Sequence, residues 1–285
     1  MLDAAADGAK LSRMKTHAHF FPFALFGHPG TQAGAELLAD AVRELLADAR
    51  KEKTPNRSKA FARQVVVEEH LLETMEDLVH WLPRARDAVR AVWARNDFLL
   101  WSAGNHLGVL PVYEELTGTD TLVVQFDAHL DVYNLDDCAT ELGHGNFLLH
   151  ADKPLPSIIN VGHREQVLDP GHVATTFVET YSAIDLALDP DAVIRKLNAR
   201  CESASRIVID IDCDAFDPAH FPAVAQPEPF GLTPLLFLRL LDAVWSDRVV
   251  GLAISEFDPS RDRNDMSLAL LLWLVEHVLL RIYEK

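Results

Sequence analysis

Two segments of this chain place metal-ligand side chains at alternate positions, each directly after an apolar run. The first segment follows residues 122–124 and the second follows residues 207–209. The side chains are Asp127, His129 and Asp131 in the first segment, and Asp210, Asp212 and Asp214 in the second. Because side chains alternate in direction along a strand, the three groups of each segment point the same way.

Carboxylates that crowd together at a strand end repel one another unless they are protonated or bind a cation. One such segment is also compatible with a solvated strand end, but two in one chain favour a dinuclear metal site. Carboxylate-rich sites with one imidazole per ion suit Mn²⁺ better than Zn²⁺ or Cu²⁺. Two neighbouring ions can share a water and lower its pKa, which is chemistry for hydrolysis.

Length and charge bound the class of protein. The chain has 285 residues, of which 49% are hydrophobic, so we expect residues 1–285 to form a single catalytic domain. The formal net charge is −17, which argues against a nucleic-acid partner because phosphate contacts need clustered Lys and Arg. An acidic protein is better suited to attract a cationic substrate.

The cysteines and apolar segments indicate a cytoplasmic protein without a membrane partner. Cys138, Cys201 and Cys213 form no C-x-x-C motif, which favours a reducing compartment. The N-terminal segment contains no signal-peptide core. The apolar run 268–280 is interrupted by Glu276 and His277, so we interpret it as a buried helix and not as a membrane span.

Strands alternate with helices along most of the chain, which predicts an α/β fold with a mainly parallel sheet. The predicted strands include residues 98–101, 122–127, 158–161, 207–212 and 249–255, and the predicted helices include residues 35–50, 234–245 and 268–280. Residues 61–95 read as mostly helical, although residues 65–67 could instead form a short strand. The ligand-type clusters sit at strand ends, where open parallel sheets bind ligands.

Together these motifs resemble the ureohydrolase family, which comprises arginases, agmatinases and their relatives. The matching pieces are Asn105-His106, Asp127 to Asp131, His144-Gly145, Asp212 to Pro218 and Glu256, with looser matches at residues 27–34 and 227–231. They occur in order over most of residues 27–262. The resemblance implies a three-layer α/β/α sandwich, two Mn²⁺ ions and a homo-oligomer.

The resemblance also implies ligand sets and roles. One ion is expected on His106, Asp127, Asp131 and Asp212, and the other on His129, Asp127, Asp212 and Asp214, with Asp127 and Asp212 bridging. We expect His144, Glu256 and Asp131 to act in catalysis, with His144 as the proton shuttle to the leaving amine. Glu256 can bind a guanidinium as a bidentate fork, and we expect substrate contacts from Glu256, His144 and Tyr133.

Two departures from the family pattern bear on the function. The first metal loop of the family is usually Gly-Gly-Asp-His-Ser, and residues 103–107 keep the His but lose the Asp, which leaves open what orients His106. Residues 133–143 lack the small polar set that binds the amino-acid head of free arginine, and Leu142 takes one of those positions. We therefore expect free arginine to be a poor substrate, and arginine within a peptide, or agmatine, to be the substrate.

Other readings remain open at this point. A deacetylase of the related fold uses one Zn²⁺ and would leave Asp131 and Asp214 redundant. A non-catalytic metal-binding protein would be expected to have lost a ligand or His144. Glu256 could pair with Arg261 or Arg263 instead of a substrate. Asp210 is an alternative ligand to Asp212, but the motif from Asp214 to Pro218 fixes the register in favour of Asp212 and Asp214. The remaining assignments are His70 as a further pocket candidate, Asp217 as a turn cap, Cys213 as a core residue and Cys138 as a candidate catalytic thiol near the site.

Overall fold

Eight parallel strands form one sheet in this computed structural model, which describes residues 14–284 except 26, 29, 73, 119 and 135–141. The strands are β1 (Thr16–Phe21), β2 (Val65–Glu69), β3 (Phe98–Ala103), β4 (Thr121–Phe126), β5 (Ser157–His163), β6 (Glu179–Ser182), β7 (Arg206–Asp212) and β8 (Val249–Ser255). All the pairings among these strands are parallel. The predicted α/β class with a parallel sheet is confirmed.

The order of the strands across the sheet is β2-β1-β3-β8-β7-β4-β5-β6. The four middle strands β3, β8, β7 and β4 therefore end side by side, although they are far apart in the chain. The register keeps these ends level, because Phe126 pairs with Ile211 and Asp212 pairs with Ser255. The segments that follow these four strands form one edge of the sheet.

Helices cover both faces of the sheet. They are α1 (Gly30–Lys51), α2 (Met75–Val79), α3 (Trp81–Trp93), α4 (Leu110–Glu115), α5 (Pro170–Val173), α6 (Ala183–Leu188), α7 (Pro190–Ser203), α8 (Pro234–Val244) and α9 (Met266–Tyr283). The predicted helices at 35–50, 234–245 and 268–280 correspond to α1, α8 and α9. Short 3₁₀ turns lie at Arg57–Ala60, His106–Val109, Phe147–His150, Cys213–Ala215 and Pro259–Arg261.

The alternation of apolar side chains along each central strand produces the three layers. Leu100 and Val124 belong to the core that includes buried residues of α1, α7, α8 and α9. Their neighbours Leu99 and Val123 belong to the opposite core, with residues of α3 and α4. Both faces of a parallel sheet are buried in this way in α/β proteins, and the expected α/β/α sandwich is confirmed.

Residues 61–95 contain one strand and two helices, so the helical prediction holds after residue 74 and the short-strand alternative holds for residues 65–67. The β-branched run Val65–Val67 lies in β2, which pairs with β1 at the edge of the sheet. Strand β6 and helices α4, α5, α6 and α7 were not predicted. Helix α7 did carry a signal, since Asp189 caps it by accepting a hydrogen bond from the backbone of Ala192, and Pro190 follows.

Helix α9 is long and apolar enough to cross a membrane by length and composition alone, and among the described residues it is the one helix of this kind. Its residues Leu271, Leu274 and Val278 are buried in the hydrophobic core. This packing is the arrangement expected for the buried helix that the sequence predicted.

Candidate metal centre

The carboxyl ends of the four middle strands bring the ligand-type residues together. The segments after β3, β4, β7 and β8 supply His106, Asp127 to Asp131, Asp212 to Asp214 and Glu256, respectively. Asp131 and Glu256 have backbone φ angles of 50° and 62°, in the left-handed region that costs energy for residues other than glycine. Such conformations concentrate at functional sites, because the surrounding structure must hold them in place.

His106 lies among three carboxylates. Its Nδ1 atom is 2.7 Å from Oδ2 of Asp131, 3.2 Å from Oδ2 of Asp127 and 3.3 Å from Oδ2 of Asp212. These are the four residues expected to hold one cation. All four side chains are buried.

His129 lies in a second group that also includes Asp127. Its Nδ1 atom is 2.9 Å from Oδ2 of Asp214 and 3.9 Å from Oδ1 of Asp127. Asp127 therefore directs one carboxylate oxygen to each imidazole, the geometry expected of a bridging ligand. Asp212 is close to His106, and its Oδ1 atom accepts a hydrogen bond from the backbone N–H of Asp214.

The described residues fit a pair of divalent cations. Nδ1 of His106 and Oδ2 of Asp127 are buried, and neither makes a hydrogen bond within the described part of the chain. Burial and the neighbouring charge of Asp131 raise the pKa of Asp127 to about 7, and burial and the charge of Asp214 raise the pKa of Asp212 well above its usual value. Bound cations would relieve this repulsion and would satisfy the unpaired atoms.

Asp210 orients His106 from the opposite side of the ring. Nε2 of His106 donates to Oδ2 of Asp210 at 2.8 Å, and the hydroxyl of Tyr113 donates to the same oxygen at 2.7 Å. This bond fixes the ring so that the Nδ1 atom faces the three carboxylates. A carboxylate partner of this kind typically raises the basicity of a metal-binding imidazole.

His144 and Glu256 contact each other at the edge of this cluster. Oε1 of Glu256 accepts a hydrogen bond from the backbone N–H of His106 at 3.0 Å and lies 3.1 Å from Nδ1 of His144. The hydrogen bond to Glu256 raises the pKa of His144, although burial opposes the charged form. The pair thus favours an imidazolium, which can act as a proton donor.

A cavity of about 410 Å³ opens onto the cluster. Its described lining is His129, Asp131, Tyr133, Leu142, Gly143, His144, Gly145, Asn146, Asp212, Asp214, Val224, Ala225, Gln226 and Glu256. This described lining contains four carboxylates and neither Lys nor Arg. The cavity therefore suits a cationic group better than a zwitterion with a buried carboxylate.

The model of the arginase family matches residues 21–280. The chain belongs to the arginase family. Similar curated proteins are the agmatinase of Chromobacterium violaceum, 24% identical over 65% of this chain and 58% of that protein, and the mitochondrial arginase 1 of Arabidopsis thaliana, 31% identical over 59% and 50%. The chain spans about half the length of the curated relatives it matches.

Solved structures of arginase-family and related enzymes share the fold. The agmatine ureohydrolase of Thermoplasma volcanium has a TM-score of 0.76 at 22% identity and covers 96% of this chain and 92% of that one. The proclavaminate amidino hydrolase of Streptomyces clavuligerus has a TM-score of 0.75 at 18% identity and covers 95% and 92%. At these identities the likeness shows the architecture and not the substrate.

Several subsidiary expectations for this arginase-family chain are settled by the structure. The suggestion that His70 lies in the pocket is wrong, because its Nε2 atom contacts Nδ1 of His19 and it does not line the cavity. Glu256 does not pair with Arg261, which instead bonds Asp258. Cys213 is buried in the core as predicted, and Cys138 lies outside the described residues.

Two charged residues of this arginase-family chain stabilise the segment around Asp214. Asp217 caps the turn as predicted, by accepting from the backbone of Ala219 and of Gly231. Arg164 was not predicted, and its Nη2 atom donates to the backbone carbonyls of Asp214 and Ala215, both at 3.1 Å. The guanidinium therefore fixes the loop that carries Asp214. No signal in the sequence indicated this role, because a sequence does not show which backbone carbonyls need a side-chain donor.

Proposed function

We propose that this arginase-family protein is a dinuclear, manganese-dependent hydrolase that releases urea from a guanidino group. The observation that supports it most is the cluster of two imidazoles and four carboxylates, with His144 and Glu256 beside it. The proposed metal ligands are His106, Asp127, His129, Asp131, Asp212 and Asp214. The cluster does not favour a deacetylase with one cation, because Asp131 and Asp214 each lie within 3 Å of an imidazole nitrogen.

The residues around the cluster can perform the rest of the reaction. When bound, the two cations would supply a water of lowered pKa as the nucleophile. Glu256 would orient the guanidinium through a charge-assisted hydrogen bond. His144 would donate a proton to the amine as the bond between the guanidino carbon and the side-chain nitrogen breaks. Asp131 would contribute to catalysis by holding a cation together with His106, whose Nδ1 atom lies 2.7 Å from its Oδ2 atom.

The favoured substrate is arginine within a peptide, which would be converted to ornithine in the peptide as urea is released. The described lining provides no Lys or Arg side chain for the α-carboxylate of free arginine, and Leu142 is apolar. Leaving a buried charged group without a partner costs at least about 1–3 kcal/mol. In a peptide, amide groups replace both charges. Tyr133 would contact this part of the substrate, since it lines the cavity and its hydroxyl donates to Glu165 at 3.2 Å.

The second candidate substrate is agmatine or another small guanidino compound. It is favoured by the similarity to curated agmatinases and to an agmatine ureohydrolase of known structure. Agmatine also lacks a carboxylate, so the absence of Lys and Arg from the described lining fits it equally well.

The test compares urea release from free arginine, agmatine and an arginine-containing peptide, using the Mn²⁺-loaded protein. We expect the peptide to be turned over most efficiently and free arginine least. Leu142→Ser is a matched variant that makes the rim polar. It should raise the rate of urea release from free arginine relative to the rate from the peptide. Highest activity on agmatine would select the second candidate, and highest activity on free arginine would contradict the proposed substrate class.

Three broader features complete the proposal. We infer a single catalytic domain over residues 1–285, supported by one sheet that contains strands from Thr16 to Ser255. A cytoplasmic location is supported by the free, buried Cys201 and Cys213. A homo-oligomer is supported by the partly exposed Trp273 beside an apolar groove of α8 and α9, and light scattering would measure its size.

A further inference from the structure

A second cluster of ligand-type side chains lies on the edge strands β1 and β2 and shares no residue with the metal centre. His17 and His19 are two residues apart on β1, so both rings project from the same face of the sheet. Glu68 lies on β2 and pairs in register with His19. The three side chains offer two imidazole nitrogens and one carboxylate oxygen that all lie within 4.8 Å of one another.

The spacing of these atoms is close to that of a tetrahedral metal site. Oε1 of Glu68 is 3.2 Å from Nδ1 of His17 and 3.9 Å from Nε2 of His19. Ligands held at zinc–ligand bonds of about 2.0–2.2 Å lie roughly 3.3–3.6 Å apart in a tetrahedron. A shift of a few tenths of an ångström in the half-exposed Glu68 would bring both of these distances into that range.

His19 supplies an independent indication that a ligand belongs here. Its residue surface is only 3% exposed, and Nε2 has no hydrogen-bond partner in the described part of the chain. Its other nitrogen, Nδ1, is 2.7 Å from Nε2 of His70, so one of these two atoms carries the shared proton. If Nδ1 of His19 donates to His70, the buried Nε2 atom presents a lone pair to the centre of the cluster.

His17 has the same arrangement with a carboxylate as its outer partner. Its Nδ1 atom faces Glu68 at 3.2 Å, and its Nε2 atom faces Oδ2 of Asp97 at 3.1 Å. A neutral imidazole has one N–H and cannot donate to both carboxylates. Donation from Nε2 to Asp97 leaves the Nδ1 lone pair for a cation, which is the usual carboxylate–histidine–metal arrangement.

We propose that His17, His19 and Glu68 bind a zinc ion that fastens β2 to β1 at the edge of the sheet. Two imidazoles and one carboxylate are a ligand set that zinc accepts, with water as the fourth ligand. Water can reach the site because the Glu68 side chain is 45% exposed.

The test measures the number of zinc ions bound per chain. The protein is first dialysed against zinc, and the unbound zinc is then removed. Elemental analysis should give one more zinc per chain for the wild type than for His19→Gln, whatever zinc the dinuclear centre takes up in both. His277→Gln, a substitution on α9, is the matched control and should keep the wild-type count. Equal counts for wild type and His19→Gln would overturn the proposal.

Two further variants keep the test decisive if His19→Gln does not fold. Glu68→Gln changes a half-exposed side chain and should lose the extra zinc or raise its Kd at least about tenfold. Asp97→Asn replaces the charged outer partner of His17, a carboxylate that also accepts from Arg95 and from the backbone of Lys15. It should raise the Kd by about 10- to 100-fold, as is typical of such partners. Wild-type zinc content and Kd in Glu68→Gln would refute the site.

Discussion

In the proposed dinuclear centre, the orientation of the His106 imidazole depends on Asp210. His106 has Asp210 on one ring nitrogen and three carboxylates on the other. The sequence predicted Asp212 as the ligand over Asp210, because the motif from Asp214 to Pro218 fixes the register. Both lie on the same face of β7, and their distances from the strand end decide which one reaches the site.

Replacing Asp210 should therefore weaken metal binding without removing a ligand. We expect Asp210→Asn to raise the Kd for Mn²⁺ by about 10- to 100-fold, because His106 loses a charged orienting partner. Isothermal titration of metal-free protein would measure this Kd. Asp242→Asn, which changes a surface carboxylate paired with Arg281, is the control and should bind Mn²⁺ like the wild type. An unchanged Kd in Asp210→Asn would show that Asp210 does not orient His106.

The bridging assignment makes a different prediction for two other carboxylates. Asp127→Asn and Asp212→Asn should each lower the occupancy of both cations, because the family resemblance assigns both carboxylates a bridging role. For Asp127 the contacts with both imidazoles support this role. Elemental analysis after gel filtration would measure the manganese remaining. Full occupancy in both variants would refute the bridging assignment.

The contact between His144 and Glu256 predicts a pH effect. His144 donates its proton when charged, so activity that depends on it is present below its pKa and lost as pH rises through it. Glu256 raises that pKa, so in Glu256→Gln the alkaline limb of kcat should move to lower pH. His144→Ala should lower kcat by about 10²- to 10⁴-fold with its metal retained. An alkaline limb that stays in place in Glu256→Gln would argue against this coupling.

At the scale of elements, the site depends on the central strands and on the backbone conformation of the loops that follow them. The sequence predicted most central strands to within two residues, because their apolar runs are buried on both faces. It missed β6, whose four residues include the polar Glu179, Thr180 and Ser182. It also could not show the left-handed backbone at Asp131 and Glu256, since neither residue type demands it.

Gly104 illustrates how tightly these loops are constrained. A Cβ atom added at Gly104 would lie 2.2 Å from the carbonyl oxygen of Phe23, and the carbonyl of Gly104 accepts the backbone N–H of Glu256. Gly104→Ala should therefore displace the loop before His106, lower Tm and reduce manganese binding. Gly145→Ala is the steric control, because its Cβ would have its nearest contact at 3.5 Å. Thermal melts and metal analysis that match the wild type in Gly104→Ala would contradict this constraint.

At the scale of the whole molecule, the order of the strands assembles a centre from residues far apart in sequence. His106 and Glu256 are 150 positions apart, yet the backbone of one donates to the carboxylate of the other. Periodicity predicts strands but not their neighbours, so the position of β8 between β3 and β7 could not be derived from the pattern. The motif order, through its resemblance to a known family, predicted the assembly.

The dinuclear centre itself is tested most directly by anomalous scattering at the manganese edge from crystals grown with Mn²⁺. We expect two peaks roughly 3.5–4 Å apart, one beside His106 and Asp131 and the other beside His129 and Asp214. Asp127 should lie between them. A single peak, or manganese bound only elsewhere on the chain, would contradict a dinuclear hydrolase.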